Sequence, residues 1–403
     1  MTAQAADPSR SELAGLARGP DPSAVGMDPG RLRRAAALVE SLLIPAGGNV
    51  AAASLCVIRR GAIVLAETWG APADVPFLAA SLTKPVVGMA VLSVAQEGGL
   101  SLDEPAAAYL PAFGQKGKEP ITVRQLLSHT SGLPDMVPEN LTLRAAHQPL
   151  AAFYERLLAV SPLFEPGSAV SYQSMGFLVL AELLQILLGQ PLSHILQERL
   201  FAPLGLRHTR LGIDGAGGGR DVSLTESELG VPVQLPDDQV GTDWNWNSPY
   251  WRRLGAPWGG LLTTAPEMAA LAYAAGCGHG ALFGLPLRRA MLEDVTAELW
   301  HYPGPPSQAP AHSSTARPVT DTGGRAHAWG LGWRLNRDAR ARRTHFGDFL
   351  SPAAFGHTGA TGTAVWCDPE YDLACCLLTS QPRILESGVI ARLANAVAGA
   401  VTA

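Results

Sequence analysis

Lysine is scarce in this 403-residue chain: Lys84, Lys116 and Lys118 stand against twenty-seven arginines among thirty basic residues. Arginine does not lose its proton in a protein, whereas a desolvated lysine does, so a chain that spends arginine on ordinary charge keeps lysine where titration is useful. Charge of one sign is also lacking. With 35 acidic residues and a net charge of -5, no basic stripe exists for nucleic acid and no charge run for a polyanion. Cysteine is sparse and odd in number. Cys56, Cys277, Cys367, Cys375 and Cys376 fit free thiols in apolar runs rather than a disulfide framework. Long hydrophobic runs are missing as well: Phe177 to Leu188 is too short to span a bilayer and carries Glu182 and Gln185, so no membrane partner is expected. Met1 to Gly30 has neither a basic n-region nor an apolar h-region, which gives the expectation of a cytoplasmic protein. No Gly-x-Ser-x-Gly and no His-Glu-x-x-His occurs, which disfavours an α/β-hydrolase elbow and a zinc hydrolase. Neither a metal nor a cofactor is expected.

What is present centres on Phe77 to Ala90, Phe-Leu-Ala-Ala-Ser-Leu-Thr-Lys-Pro-Val-Val-Gly-Met-Ala. Proline is tolerated in the first turn of a helix, so Pro85 places the helix start near Ser81. Residues three apart share a face, which sets the Ser81 hydroxyl beside the Lys84 amine, with free N–H groups of the helix start nearby. That combination offers a nucleophile, a base and an anion-stabilising end in one turn. Lys116 and Lys118 lie in the Gly-flanked polar loop Gly-Gln-Lys-Gly-Lys-Glu and are expected to be solvated.

The length and a hydrophobic content of 47% allow two domains, or one with a large insertion, around an ample core. Residues 1–24 read as a disordered arm. A helix capped by Asp28 is expected from Pro29 to Leu43, then a hairpin from Ala51 to Trp69 turning at Arg59-Arg60-Gly61. From Ser81 to Arg199 the pattern is helical: Val86 to Glu97, Val123 to Ser128, Pro149 to Val160, Met175 to Leu188 and Pro191 to Leu200. Residues 212–260 are loop-rich, and Gly215 to Gly219 reads as a flexible turn rather than a dinucleotide fingerprint. Pro266 to Gly276 reads as a helix and Trp329 to Leu335 as a strand. Gly362 to Cys367 and Leu373 to Thr379 form a second hairpin, and Glu386 to Val401 closes the chain as a helix. Hairpins at both ends around a helical middle predict an α/β (α+β) fold, an antiparallel sheet flanked by helices. The expected division is 25–78 with 252–403 as the sheet domain and 79–251 as a mostly helical domain, with Ser81 at their junction.

Two further constellations stand beside Ser81 and Lys84. Tyr172 and Ser174 follow the turn Pro166-Gly167 at the mouth of a helix, and His357-Thr358-Gly359 lies at a strand start. A phenol near an ammonium has its anion favoured, so Tyr172 is a second candidate for the base that takes the Ser81 proton. His129, in Ser-His-Thr-Ser-Gly, reads as a hydrogen-bonded structural histidine.

Taken together, Ser81-x-x-Lys84, Tyr172-x-Ser174 and His357-x-Gly359 resemble the serine beta-lactamase and penicillin-binding-protein superfamily, in particular its class C-like branch with the family VIII carboxylesterases. Leu126 to Pro134, Pro203 to Leu206 and Trp258 to Thr264 look like the same branch. The resemblance spans roughly residues 25 to 400 and implies a beta-lactamase/transpeptidase-like fold and acyl transfer. Ser81 would attack a carbonyl, Tyr172 and Lys84 would share the proton, and the backbone N–H groups of Ser81 and Ala360 would form the oxyanion hole. Ser174 and His357 replace the lactamase asparagine and lysine, so the expectation moves from beta-lactams to a small-molecule ester. Ser174, His357 and Gly359 would bind it. Trp246, Tyr250 and Trp258 would rim an apolar pocket, or alternatively pin their own loop. Beta-lactamase, D-amino acid amidase or carboxypeptidase and acyltransferase are the alternatives, and a non-catalytic sensor is disfavoured because the motif residues keep usable chemistry. The oligomeric state is not legible.

Overall fold

In the computed structural model, the described residues are 4–5, 13, 15–213, 225–278, 282–302, 327–338 and 341–403. The glycine run Gly215 to Gly219 lies outside them. Helix α1 (Pro29–Glu40) starts where Asp28 accepts the Arg31 N–H at 2.7 Å, with proline at its first position. Strands β1 (Ala53–Arg59) and β2 (Ala62–Trp69) form the expected hairpin, its turn made by Arg60 and Gly61 at positive φ. Helix α2 (Thr83–Gln96) follows a 3-10 turn over Ala80–Leu82, and α3 (Met175–Leu188) and α4 (Ala265–Cys277) match the apolar runs. Strands β3 (Arg334–Leu335), β4 (Phe355–Gly359), β5 (Thr363–Asp368) and β6 (Leu373–Thr379) precede α5 (Val389–Ala398).

The main sheet runs β2-β1-β6-β5-β4-β3, and every one of these neighbours is antiparallel. Alternate side chains therefore serve different cores. Leu55, Val57, Cys375 and Leu377 pack with α1 and α5, where Ile390, Leu393, Ala394 and Val397 form the buried stripe. Cys56, Ile58, Cys376 and Leu378 face the other way, onto α4 and a core continuous with α2 and α3. The nucleophile turn lies against β4, where the sheet meets the helical segment.

Several expectations are corrected. Described residues of the arm are paired rather than disordered: Ala17–Arg18 pairs in parallel with Ala62 and Ile63, and Gln4–Ala5 pairs antiparallel with Glu67 and Thr68. Leu13 and Leu16 are buried in the main core and supply the apolar anchor that holds it. The chain bends at Leu331 and Gly332, the latter at φ 83°, so Trp329 makes only an isolated bridge to Arg334 and the strand is confined to Arg334–Leu335. Phe355–Gly359 is a full strand, so His357 lies within the sheet rather than at a strand start. The segment 86–200 also contributes a short strand, Ala169–Val170, paired with Trp300–His301 off the main sheet. Lys118 is fully buried, because its ammonium donates to the Leu158 and Val160 carbonyls at 2.9 and 2.7 Å. Among the described residues no single helix is long and apolar enough to cross a membrane.

Candidate active site

The backbone before Ser81 is fixed from three sides. Phe77–Leu78 pairs with Leu261–Thr263, and Ala79 N–H donates to the Leu261 carbonyl at 2.8 Å. Three threonine hydroxyls then hold successive carbonyls: Thr361 donates to Leu78 at 2.6 Å, Thr363 to Ala79 at 2.9 Å and Thr83 to Ala80 at 2.6 Å. Between these anchors Ala80 adopts φ 48°, a left-handed conformation that costs a residue with a Cβ about 1–3 kcal/mol. The surrounding bonds over-determine it, and it sets the direction in which Ser81 leaves the turn. A Cβ on Gly359 would sit 2.2 Å from the Ala79 oxygen and 3.2 Å from the Ser81 nitrogen. The end of β4, which leads into Ala360, therefore touches the nucleophile's own backbone.

Lys84 is 1% exposed, and its Nζ donates to Ser81 Oγ at 3.1 Å and to the Trp258 carbonyl at 3.1 Å. Loss of solvent pulls its pKa down to about 8, opposed by the field of Asp135. The ammonium also lies 4.8 Å from the centre of the Tyr172 ring. Desolvation raises the Tyr172 pKa far above that of a free phenol; the nearby Ser81 hydroxyl works against the rise and Asp135 adds to it. Burial works against the phenolate that the nearby ammonium is expected to favour. Lys84 is thus the group closer to carrying a vacant lone pair at neutral pH.

His357 is 5% exposed and neutral, its pKa pulled down to about 3 by burial and then by Lys84. Its Nδ1–H donates to the Thr358 carbonyl at 2.7 Å, and Nε2 is buried without a partner. His129, at φ 62°, is fully buried and neutral; its Nδ1 accepts the Gln173 N–H at 3.2 Å, and its ring packs on Tyr172 and Trp329 at 4.7 and 4.4 Å. Ser174 is buried and donates to Asp135 Oδ1 at 2.7 Å.

The structure thus brings Ser81, Lys84, Tyr172, His357, Gly359 and Ala360 together, with Ser174 two residues on from Tyr172 and bonded to Asp135. The tryptophan cluster divides. Trp258 contributes its carbonyl, while its indole is 5% exposed and packs on Phe153. Trp246 is half-buried against the main core. Tyr250 donates to the Gln148 carbonyl at 2.8 Å, stacks on His147 at 4.6 Å and lines a separate cavity of about 860 Å³ with Leu178 and Asp243. Sequence reasoning missed Asp135, which directly follows the motif segment ending at Pro134, and the threonines 83, 361 and 363. Among the described residues no group of three or more His, Cys, Asp or Glu is arranged to hold a metal.

The Beta-lactamase family model matches residues 35–400. A putative D-alanyl-D-alanine carboxypeptidase of Salmonella enteritidis PT4 is 26% identical over 399 residues, covering 90% of this chain and 85% of that protein. Among solved structures, a penicillin-binding protein homolog from Caulobacter crescentus aligns with a TM-score of 0.67 at 22% identity, covering 93% of this chain and 99% of the other. A family VIII carboxylesterase aligns at 0.65 and 22%, covering 91% and 97%. EstCE1, a hydrolase with promiscuous acyltransferase activity, aligns at 0.67 and 20%, covering 93% and 100%. With Ser81 and Lys84 hydrogen-bonded and the family model matched along nearly its whole length, the chain belongs to the Beta-lactamase family and is a serine hydrolase of that superfamily.

Proposed function

We propose that this serine hydrolase cleaves carboxylic esters of short to medium acyl chain through an acyl-enzyme on Ser81, with water as the acceptor. The observation that carries the reading is the neutral His357, whose only proton is given to the Thr358 carbonyl. The cleft then lacks, at this position, a cation for the carboxylate of a beta-lactam or of a peptide C-terminus, and an uncharged ester loses nothing by that. The family VIII carboxylesterase and EstCE1 among the similar folds are in keeping with this chemistry. The carboxypeptidase named among the relatives is the second reading, and the same neutral imidazole weighs against it.

In the proposed cycle the Ser81 Oγ–H proton passes to neutral Lys84 as Oγ attacks the carbonyl. The oxyanion is received by the Ser81 and Ala360 N–H groups. Collapse expels the alcohol, which takes its proton back from Lys84 through the Tyr172 hydroxyl. Water then attacks the acyl-serine along the reverse proton path. The test is a panel of short- and long-chain p-nitrophenyl esters, a chromogenic cephalosporin and D-amino acid amides. Highest kcat/KM on the short esters is expected; highest kcat/KM on the amides or the cephalosporin overturns the reading.

A further inference from the structure

Asp135 is bonded to Ser174, two residues on from Tyr172, and has no part in the cycle above. Ser174 anchors it twice, through its hydroxyl to Oδ1 at 2.7 Å and through its N–H to the Asp135 carbonyl at 3.2 Å. The residue is exposed, and its charge acts on both Lys84 and Tyr172. His357, whose ring lies 6.0 Å from that of Tyr172, must carry its proton on Nδ1, because the Thr358 carbonyl can only accept. Its buried Nε2 is therefore a bare lone pair without a partner. A lone pair and a carboxylate both repel a substrate carboxylate, and both favour a group that donates or carries positive charge. His129 adds no charge. Arg144 lies within range of the Asp135 field, but its guanidinium sits over the Trp251 ring at 4.4 Å.

We propose that Asp135, held by Ser174, determines specificity for esters that carry a protonated amine close to the reacting carbonyl, the aminoacyl esters being the simplest class. This rests on the ester reading above. The ammonium would lie against the exposed Asp135 carboxylate while Ser81 attacks the neighbouring carbonyl.

The test compares alanine methyl ester in both enantiomers with its uncharged isostere methyl isobutyrate and with the anionic monomethyl methylmalonate, by pH-stat near pH 6.5, where an α-amino group is charged. The wild type should prefer the cation to the neutral isostere by about five- to tenfold and disfavour the anion. Asp135→Asn should bring the cation-to-neutral ratio close to one, and Ser174→Ala should lower it part of the way. In the wild type alone, raising the salt to about 0.5 M should lower the same ratio; this arm and Asp135→Glu, which should keep the preference, hold if Asp135→Asn does not fold. A ratio that neither Asp135→Asn nor salt moves, or a preference for the anion, overturns the proposal while neutral-ester hydrolysis persists. Absence of hydrolysis of every ester, methyl isobutyrate and p-nitrophenyl butyrate included, overturns the ester reading and this proposal with it.

Discussion

Lys84 Nζ donates to the carbonyl oxygen of Trp258 at 3.1 Å, across 174 residues of chain. A carboxylate in that place would hold the ammonium in its charged form; a carbonyl orients it without adding charge. The amine is thereby fixed 3.1 Å from Ser81 Oγ while burial lowers its pKa to about 8. Roughly one molecule in ten then carries neutral Lys84 at pH 7, enough for a base that has only to act within a preformed geometry.

Ser81→Ala should abolish turnover and covalent labelling. Lys84→Arg should lower kcat/KM by about a thousandfold or more, since arginine keeps its proton and its planar head does not fit the site of a point ammonium. Intact mass after a slow-turnover phosphonate should show one adduct, and peptide mapping should place it on Ser81. An adduct elsewhere disproves the assignment.

The acidic limb of kcat/KM should lie near pH 8, rising with pH as Lys84 loses its proton. The field of Asp135 opposes that loss. Asp135→Asn should therefore move the limb to lower pH, and a pH profile on an uncharged ester reads the shift directly. A limb that stays in place or moves up in the variant contradicts the electrostatic account.

Stability should respond to the same group. The folded pKa near 8 lies below the ordinary 10.5, so between these values the unfolded chain binds more protons, and stability gained from Lys84 rises with pH. Lys84→Met has no such dependence. Urea unfolding at pH 7 and at about pH 9.5 should show the wild type gaining about 2 kcal/mol on the variant between the two. Parallel changes in both proteins would show that Lys84 is not desolvated.

The Ser81–Lys84 pair was legible in the sequence because a proline at the helix start and a spacing of three fix two side chains on one face. Tyr172 and His357 were legible by resemblance, since only the fold brings residues so far apart to one cleft. The electrostatics were not legible. Whether Lys84 meets a carboxylate or a carbonyl depends on Trp258, and Lys118 sits in a loop that reads as polar yet gives its ammonium to the Leu158 and Val160 carbonyls. Trp329 to Trp333 has strand composition, but the φ of 83° at Gly332 turns the chain. Aromatic density around Trp246 says nothing of which way each ring faces, and Trp258 proves to matter through its backbone.

Gly359→Ala should damage the site through the backbone alone. The added Cβ would lie 2.2 Å from the Ala79 oxygen and 2.3 Å from Thr363 Oγ1, so β4 must retreat from the turn that carries Ser81. Loss of the oxyanion geometry predicts a fall in kcat of about a hundredfold or more, with KM changed far less. A variant with near-normal kcat would show that the N–H groups around Ala360 do not serve the reaction.

The last prediction concerns the absent cation. A lysine at position 357 would bring an ammonium to the place where neutral imidazole now offers a bare Nε2, and a charge-assisted contact to a lactam carboxylate is worth about 1.5–3 kcal/mol. His357→Lys should therefore raise the cephalosporin-to-butyrate ratio of kcat/KM by about ten- to a hundredfold. The position is 5% exposed, and the field of Lys84 already acts on it. The new ammonium would thus be pushed toward neutrality and would in turn lower the pKa of Lys84. The gain should be largest near pH 5.5 and shrink toward pH 8, and the acidic limb on the butyrate ester should move down. Wild type and variant compared on both substrates across that range decide the matter: an unchanged ratio, or a wild type that already cleaves the cephalosporin as well as the butyrate, removes His357 as the cause of ester preference.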